Sequence, residues 1–171
     1  YGQMLSTTNR AEYKAIHNEL YQSLAQLMYG DGLVVNGKTY TITSLAAYTF
    51  ADNTILKSIK LPSTITEVSS YAFRGCRSLE TVIIQEGVTV IKEYAFESCE
   101  NLTNVSLPST LLQIDTWAFN CCYALTSIVL PNKLDVIGDY VFSNCNILSS
   151  IIIPKSVTSI GYAVFGNGCF I

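Results

Sequence analysis

Tyr71-Ala72-Phe73-Arg74-Gly75-Cys76-Arg77-Ser78-Leu79 runs into Glu80-Thr81-Val82-Ile83-Ile84, and 23 residues later the pattern returns as Tyr94-Ala95-Phe96-Glu97-Ser98-Cys99-Glu100-Asn101-Leu102. A third copy passes through Trp117, Ala118, Phe119, Cys122 and Leu125. Outward from this segment, Phe50, Phe73, Phe96, Phe119, Phe142 and Phe165 keep the 23-residue interval without a slip. So do Leu56, Leu79, Leu102, Leu125 and Leu148, and the β-branched column Ile59, Val82, Val105, Ile128 and Ile151. A fixed period of this length marks a repeat architecture, in which no single unit can bury its apolar face alone.

Each copy contains one short alternating strand. In Leu79 to Ile84, Val82 and Ile84 point one way, Thr81 and Ile83 the other. Pro62, Pro108, Pro131 and Pro154 end the strand, with Gln85 as the exception, because proline cannot donate to a ladder. A second extended piece follows, Ile65 to Val68 in one copy and Val88 to Ile91 in the next, and an aromatic-Ala-Phe turn then leads to cysteine. One copy therefore makes one coil of a β-rich solenoid, with parallel strand ladders stacked coil on coil about 4.8 Å apart. Its stability is a property of neighbouring coils.

Composition narrows the function classes. The chain has 171 residues, 49% hydrophobic and 13% charged, with a formal net charge of −3. So apolar a chain can bury enough surface to fold, and disorder is excluded. A mildly acidic balance offers no basic footprint, so nucleic acid is not an expected partner. Every apolar run is interrupted well before the roughly 18 to 20 residues that cross a bilayer, and membrane insertion is not expected. His17 is the single histidine; on a cap helix beside Tyr13 and Tyr21 it reads as a packing residue. The acidic residues Glu86, Glu93, Glu97, Asp115 and Asp139 are scattered one or two per coil and form no carboxylate pair. No catalytic residue, metal ligand or cofactor site can be named, and the chain reads as non-enzymatic. Cys76, Cys99, Cys122 and Cys145 stand 23 residues apart, a repeat column without zinc or Cys-x-x-Cys spacing. They are expected to be buried reduced thiols, although neighbouring coils would let disulfides form. Cys121, beside Cys122, should face the other way and be the more reactive.

The pattern Leu-x-x-Val-x-Ile/Leu-Pro-x-x-Val/Ile-x-x-Ile-x-x-Tyr-Ala-Phe-x-x-Cys-x-x-Leu resembles the BspA-like leucine-rich repeat, a 23-residue class, over residues 39 to 165. The first copy departs from it, with Thr49 for Ala and Asn53 for Cys, and the last has Cys169 one place late. The resemblance implies a leucine-rich-repeat-like solenoid from a bacterial surface or secreted protein, or from protozoan relatives, acting in adhesion and protein binding.

The expected organisation is a single repeat domain over 1–171. An α-helical N-terminal cap spans 1–32, with Asn9 and Glu12 as a capping pair and a stripe of Tyr13, Ile16, Leu20, Leu24 and Leu27. Residues 33–42 read as a capping hairpin on Asn36-Gly37, and 43–171 as about five and a half repeats, the last incomplete. No second lid is evident after Phe165, so an uncovered C-terminal end is expected to favour self-association or stacking.

Alternation assigns the outward, expectedly concave, face of the strand ladder. Its columns are Ser58, Thr81, Asn104, Ser127 and Ser150, then Lys60, Ile83, Ser106, Val129 and Ile152. Ile83, Val129 and Ile152 would put apolar side chains in water within a hydroxyl-rich rim, as interfaces do, while Lys60 and Glu80 would set specificity at one end. The same residues also suit an exposed strand with no partner. The row Tyr48, Tyr71, Tyr94, Trp117 and Tyr140 could stack sugar rings or pack coil on coil. The expected function is a protein-binding or adhesion module at the cell surface or secreted, with a host or extracellular-matrix protein as partner. A glycan-binding module using the aromatic row and a spacer in a longer surface array are the alternatives.

Overall fold

A computed structural model describes residues 33–35 and 38–167; the expected cap helix, His17 and the last four residues lie outside them. The described part begins with β1 (Leu33–Val35) and β2 (Lys38–Tyr40), which pair antiparallel. From there each of the first three coils contributes a pair of short strands: β3 (Ser58–Leu61) and β4 (Glu67–Val68), β5 (Thr81–Ile84) and β6 (Val90–Ile91), β7 (Asn104–Ser106) and β8 (Gln113–Ile114). The fourth and fifth coils supply only β9 (Val136–Ile137) and β10 (Ser159–Ile160).

Every parallel pairing joins a residue to the one 23 positions on. In the main ladder, β3, β5 and β7 align Ser58 with Thr81 and Asn104, and Lys60 with Ile83 and Ser106. In the second ladder β4, β6, β8, β9 and β10 follow one another in coil order, as Val68, Ile91, Ile114 and Ile137 show. The period thus becomes the stacking repeat of a parallel β-solenoid.

Between the aromatic residue and the cysteine a third set of coil-to-coil bonds appears, which strand periodicity does not announce. Tyr71, Phe73 and Gly75 donate to the Glu93, Ala95 and Glu97 carbonyls of the next coil at 3.0, 2.8 and 2.7 Å, whereas Ala72, Arg74 and Cys76 donate within the turn. Left-handed backbone accompanies this alternation. Tyr48, Tyr71, Tyr94, Trp117 and Tyr140 all have φ between 56° and 63°, and four residues on stand Asp52, Gly75, Ser98, Cys121 and Asn144 with φ between 56° and 69°. Non-glycine residues there cost about 1 to 2 kcal/mol each; the bond to the neighbouring coil is what each such position gains.

The phenylalanine column fills the interior. Phe50, Phe73, Phe96, Phe119 and Phe142 are no more than 1% exposed, and successive rings stack at 5.1 to 5.9 Å, ending on half-buried Phe165. The leucine and second-ladder columns bury with them, from Leu79 and Leu102 to Val68, Ile91 and Ile114. Burial weakens in the fifth coil: Ile151, Ile153 and Val157 are only half-buried, Ile160 is 55% exposed, and among the described residues β10 pairs only with β9.

Candidate functional site

Outward side chains of the main ladder form the candidate surface, and the structure separates it into two parts. Across the first three coils the ladder is continuous. Thr81 donates to the Lys57 carbonyl at 3.2 Å and Asn104 to that of Glu80 at 3.1 Å, and Lys60, Ile83 and Ser106 lie side by side. Ile83, expected to face water, is half-buried there because the ladder packs Lys60 and Ser106 against its two sides. Ser58, Asn104 and Ser106 are exposed, and Lys60 and Thr81 half-buried.

Beyond β7 the ladder parts. The bond next in the column, from Ser127 N–H to the Thr103 carbonyl, is missing, and among the described residues no backbone hydrogen bond joins 103–107 to 126–130. The two coils stay together elsewhere: Gln113 pairs with Val136, Ser98 donates to the Asn120 carbonyl at 2.9 Å, and Phe96 stacks on Phe119 at 5.2 Å. On the far side of the gap the ladder is reduced to the Ser127–Ser150 bridge and the bond from the Ser149 N–H to the Thr126 carbonyl at 3.3 Å. Val129 and Ile152 are 83% and 84% exposed, flanked by exposed Ser127 and Ser150. The seam opens as a groove of about 690 Å³ whose walls include Val105, Ser106 and Leu107 from one coil and Val129 and Leu130 from the next. Val105 and Leu107 are half-buried, although their counterparts Val82 and Ile84 are buried.

Charges at the groove's turn end are unequal in their partners. The Glu86 carboxylate accepts from the Ser109 backbone N–H at 2.9 Å and from its hydroxyl at 3.0 Å, and the Ser109 N–H holds the carboxyl below its ordinary range. Lys133, also lining the groove, is exposed and has no ion pair among the described residues. Sequence reasoning singled out neither the seam nor Lys133, and the unbroken 23-residue period carries no signal of a parted ladder.

The aromatic row is a stacked column on another side of the coil. Tyr48 to Tyr71, Tyr71 to Tyr94, Tyr94 to Trp117 and Trp117 to Tyr140 stack nearly parallel at 4.6, 4.8, 6.3 and 4.2 Å, and Tyr162 closes the column edge-on. Ring faces from Tyr71 to Trp117 are thus covered by neighbouring rings, and a sugar would find edges. Burial and the neighbouring phenols raise the Tyr71 pKa.

The cysteine column lies inside. Cys76, Cys99, Cys122 and Cys145 are buried, each thiol directed at a phenylalanine carbonyl of the preceding coil. Burial raises the Cys76 pKa to about 12 and those of Cys99 and Cys122 well above the ordinary thiol value. Cys121 is half-buried in a left-handed position beside the exposed Tyr123, whose phenol it holds above its usual range through a side-chain hydrogen bond. No group of three or more metal-ligating side chains occurs, and no helix is long and apolar enough to cross a membrane, among the described residues.

Comparison with known proteins gives this geometry a family. The BspA type leucine rich repeat region matches residues 43–170 as 6 copies. Among solved structures, a leucine rich repeat protein of T. pallidum is 38% identical with a TM-score of 0.64, covering 65% of this chain and 54% of that one. A leucine rich cell surface protein of Faecalibacterium prausnitzii A2-165 is 27% identical with a TM-score of 0.66, covering 80% of this chain and 43% of that one. A leucine-rich repeat protein of Bacteroides ovatus is 27% identical with a TM-score of 0.59, covering 70% and 37%. The chain thus spans about half the length, or less, of these relatives. No curated protein shows significant similarity to it. By its repeat, its ladders and this match, the chain belongs to the BspA type leucine-rich repeat family.

Proposed function

We propose that the chain is a non-enzymatic binding module that takes another protein on the outward face of its main ladder, as part of a protein displayed at the cell surface or secreted. The observation that carries this reading is the pair Val129 and Ile152, large aliphatic side chains 83% and 84% exposed on adjacent coils and set among serines. Isolated exposed aliphatics are ordinary, but a contiguous pair rimmed by hydroxyls has the composition of an interface. Surface placement draws on the family and on the printed name of the F. prausnitzii relative. A host or matrix protein is the partner class that such placement favours.

The test is capture of extracellular proteins on the immobilised chain, compared with Val129→Asp/Ile152→Asp and with Glu93→Lys at the edge of the aromatic column. The reading expects the aspartate pair to lose the captured protein and Glu93→Lys to keep it, with both variants folded by circular dichroism. Capture unchanged by the aspartate pair would overturn it.

A further inference from the structure

The seam between the third and fourth coils is a backbone edge inside a sheet. In a parallel ladder, alternate residues turn their N–H and C=O toward opposite neighbours. Asn104 donates to the Glu80 carbonyl, so Val105 faces the fourth coil, where β7 has no pairing partner. Ser127 faces back from the other side with its N–H equally without a ladder acceptor. An open strand edge is a template for an added strand, with main-chain bonds giving affinity and side-chain pockets giving selectivity. Aliphatic Val105, Leu107, Val129 and Leu130 line this one beside polar residues, and among the described residues its one cation, Lys133, has no ion pair, whereas the Glu86 charge is already bonded by Ser109.

We propose that this seam docks an extended segment of a partner protein, which pairs its backbone with the open Val105 edge and places an aliphatic side chain beside outward-facing Val129 and an acidic side chain at Lys133. The inference rests on the reading of the outward face as a protein-binding surface and names the chemistry of what binds there. Lys133 follows the strand, beyond Pro131, so the acidic residue lies at the turn end of the groove. The open edge runs from Val105 to Leu107 before Pro108 ends the strand, so the docked segment pairs over about three residues at roughly 3.3 Å each and its acidic residue lies beyond them, toward Lys133.

The probe is the peptide acetyl-Thr-Val-Thr-Val-Asp-amide, titrated into the whole chain and followed by amide chemical shifts. Saturable shifts are expected at Val105 and Ser127 and not at Thr81, whose ladder bond is intact. Backbone N-methylation of the peptide should abolish them. Lys133→Glu should weaken binding by roughly tenfold or more and reverse the preference toward a lysine-ended peptide; Lys133 is exposed, so the variant keeps its fold. Absence of shifts up to millimolar peptide, or shifts indifferent to N-methylation or to Lys133→Glu, would overturn the proposal. Should the Val129→Asp/Ile152→Asp variant lose the captured protein while the peptide ignores the seam, the seam proposal falls and the face reading stands. Should the peptide fill the seam while capture is untouched by the aspartate pair, the reverse holds.

Discussion

The Cys99 thiol donates to the Phe73 carbonyl oxygen at 3.2 Å, joining residues 26 positions apart across one coil boundary. Cys76 with Phe50, Cys122 with Phe96 and Cys145 with Phe119 repeat the contact at 3.0, 3.4 and 3.3 Å. A thiol fits this place because it is apolar enough for the core and still offers a donor to a carbonyl sealed from water. The column is therefore structural, and it is tied to pH.

Cys76 stays protonated in the fold up to a pKa of about 12, against 9.0 for an ordinary thiol. The folded pKa is raised, so this contribution to stability is complete below pH 9 and falls away as the unfolded thiol ionises toward pH 12. Cys76→Ser keeps a donor for Phe50 and removes the titration. Urea unfolding of both proteins from pH 7 to 11 should show a constant offset below pH 9 and a narrowing gap above it. An offset independent of pH would contradict the assignment.

Phe119 is fully buried between Phe96 and Phe142. Phe119→Ala should lower stability by about 3 to 5 kcal/mol, as large-to-small core changes do. Ser127→Ala, on the exposed face, should stay within about 0.5 kcal/mol. Denaturant midpoints compare the two directly, and equal losses would refute the assignment of inner and outer faces.

Gly75 holds φ +69°, and a Cβ built on it would collide with Asp52 Oδ1. Gly75→Ala should cost about 1 to 2 kcal/mol from the left-handed backbone alone, with an added steric part from the carboxylate. Asp52→Ala in the same chain should recover only the steric part, a difference readable from thermal melts.

Ser127 occupies the same column as Thr81 and Asn104 but lacks their ladder bond. Hydrogen exchange should therefore be faster at the Ser127 amide than at Asn104, since an amide without an acceptor needs no opening step. Equal protection would close the seam.

Trp117 sits between Tyr94 and Tyr140, with rings nearly parallel on both sides. Its emission should be unchanged when neutral oligosaccharides are added, because no face is free for a sugar to cover. A saturable change would return the aromatic row to consideration as a glycan site.

Sequence alone determined the coil. Twenty-three-residue columns of Phe, Leu and Cys state which side chains must be inside, because a parallel ladder in register places each residue beside its own repeat, and alternation then fixes Ser58 and Lys60 outward. What it could not determine is where neighbours fail to close. Ile83 and Val129 share a column, yet one is half-buried between ladder partners and the other stands 83% exposed. Nor do tyrosine, tryptophan, serine and cysteine announce left-handed backbone, which glycine favours and local chemistry opposes. Those features were decided by tertiary structure, since bonds between adjacent coils and contacts with the ring above and below outweigh the preference of any single residue.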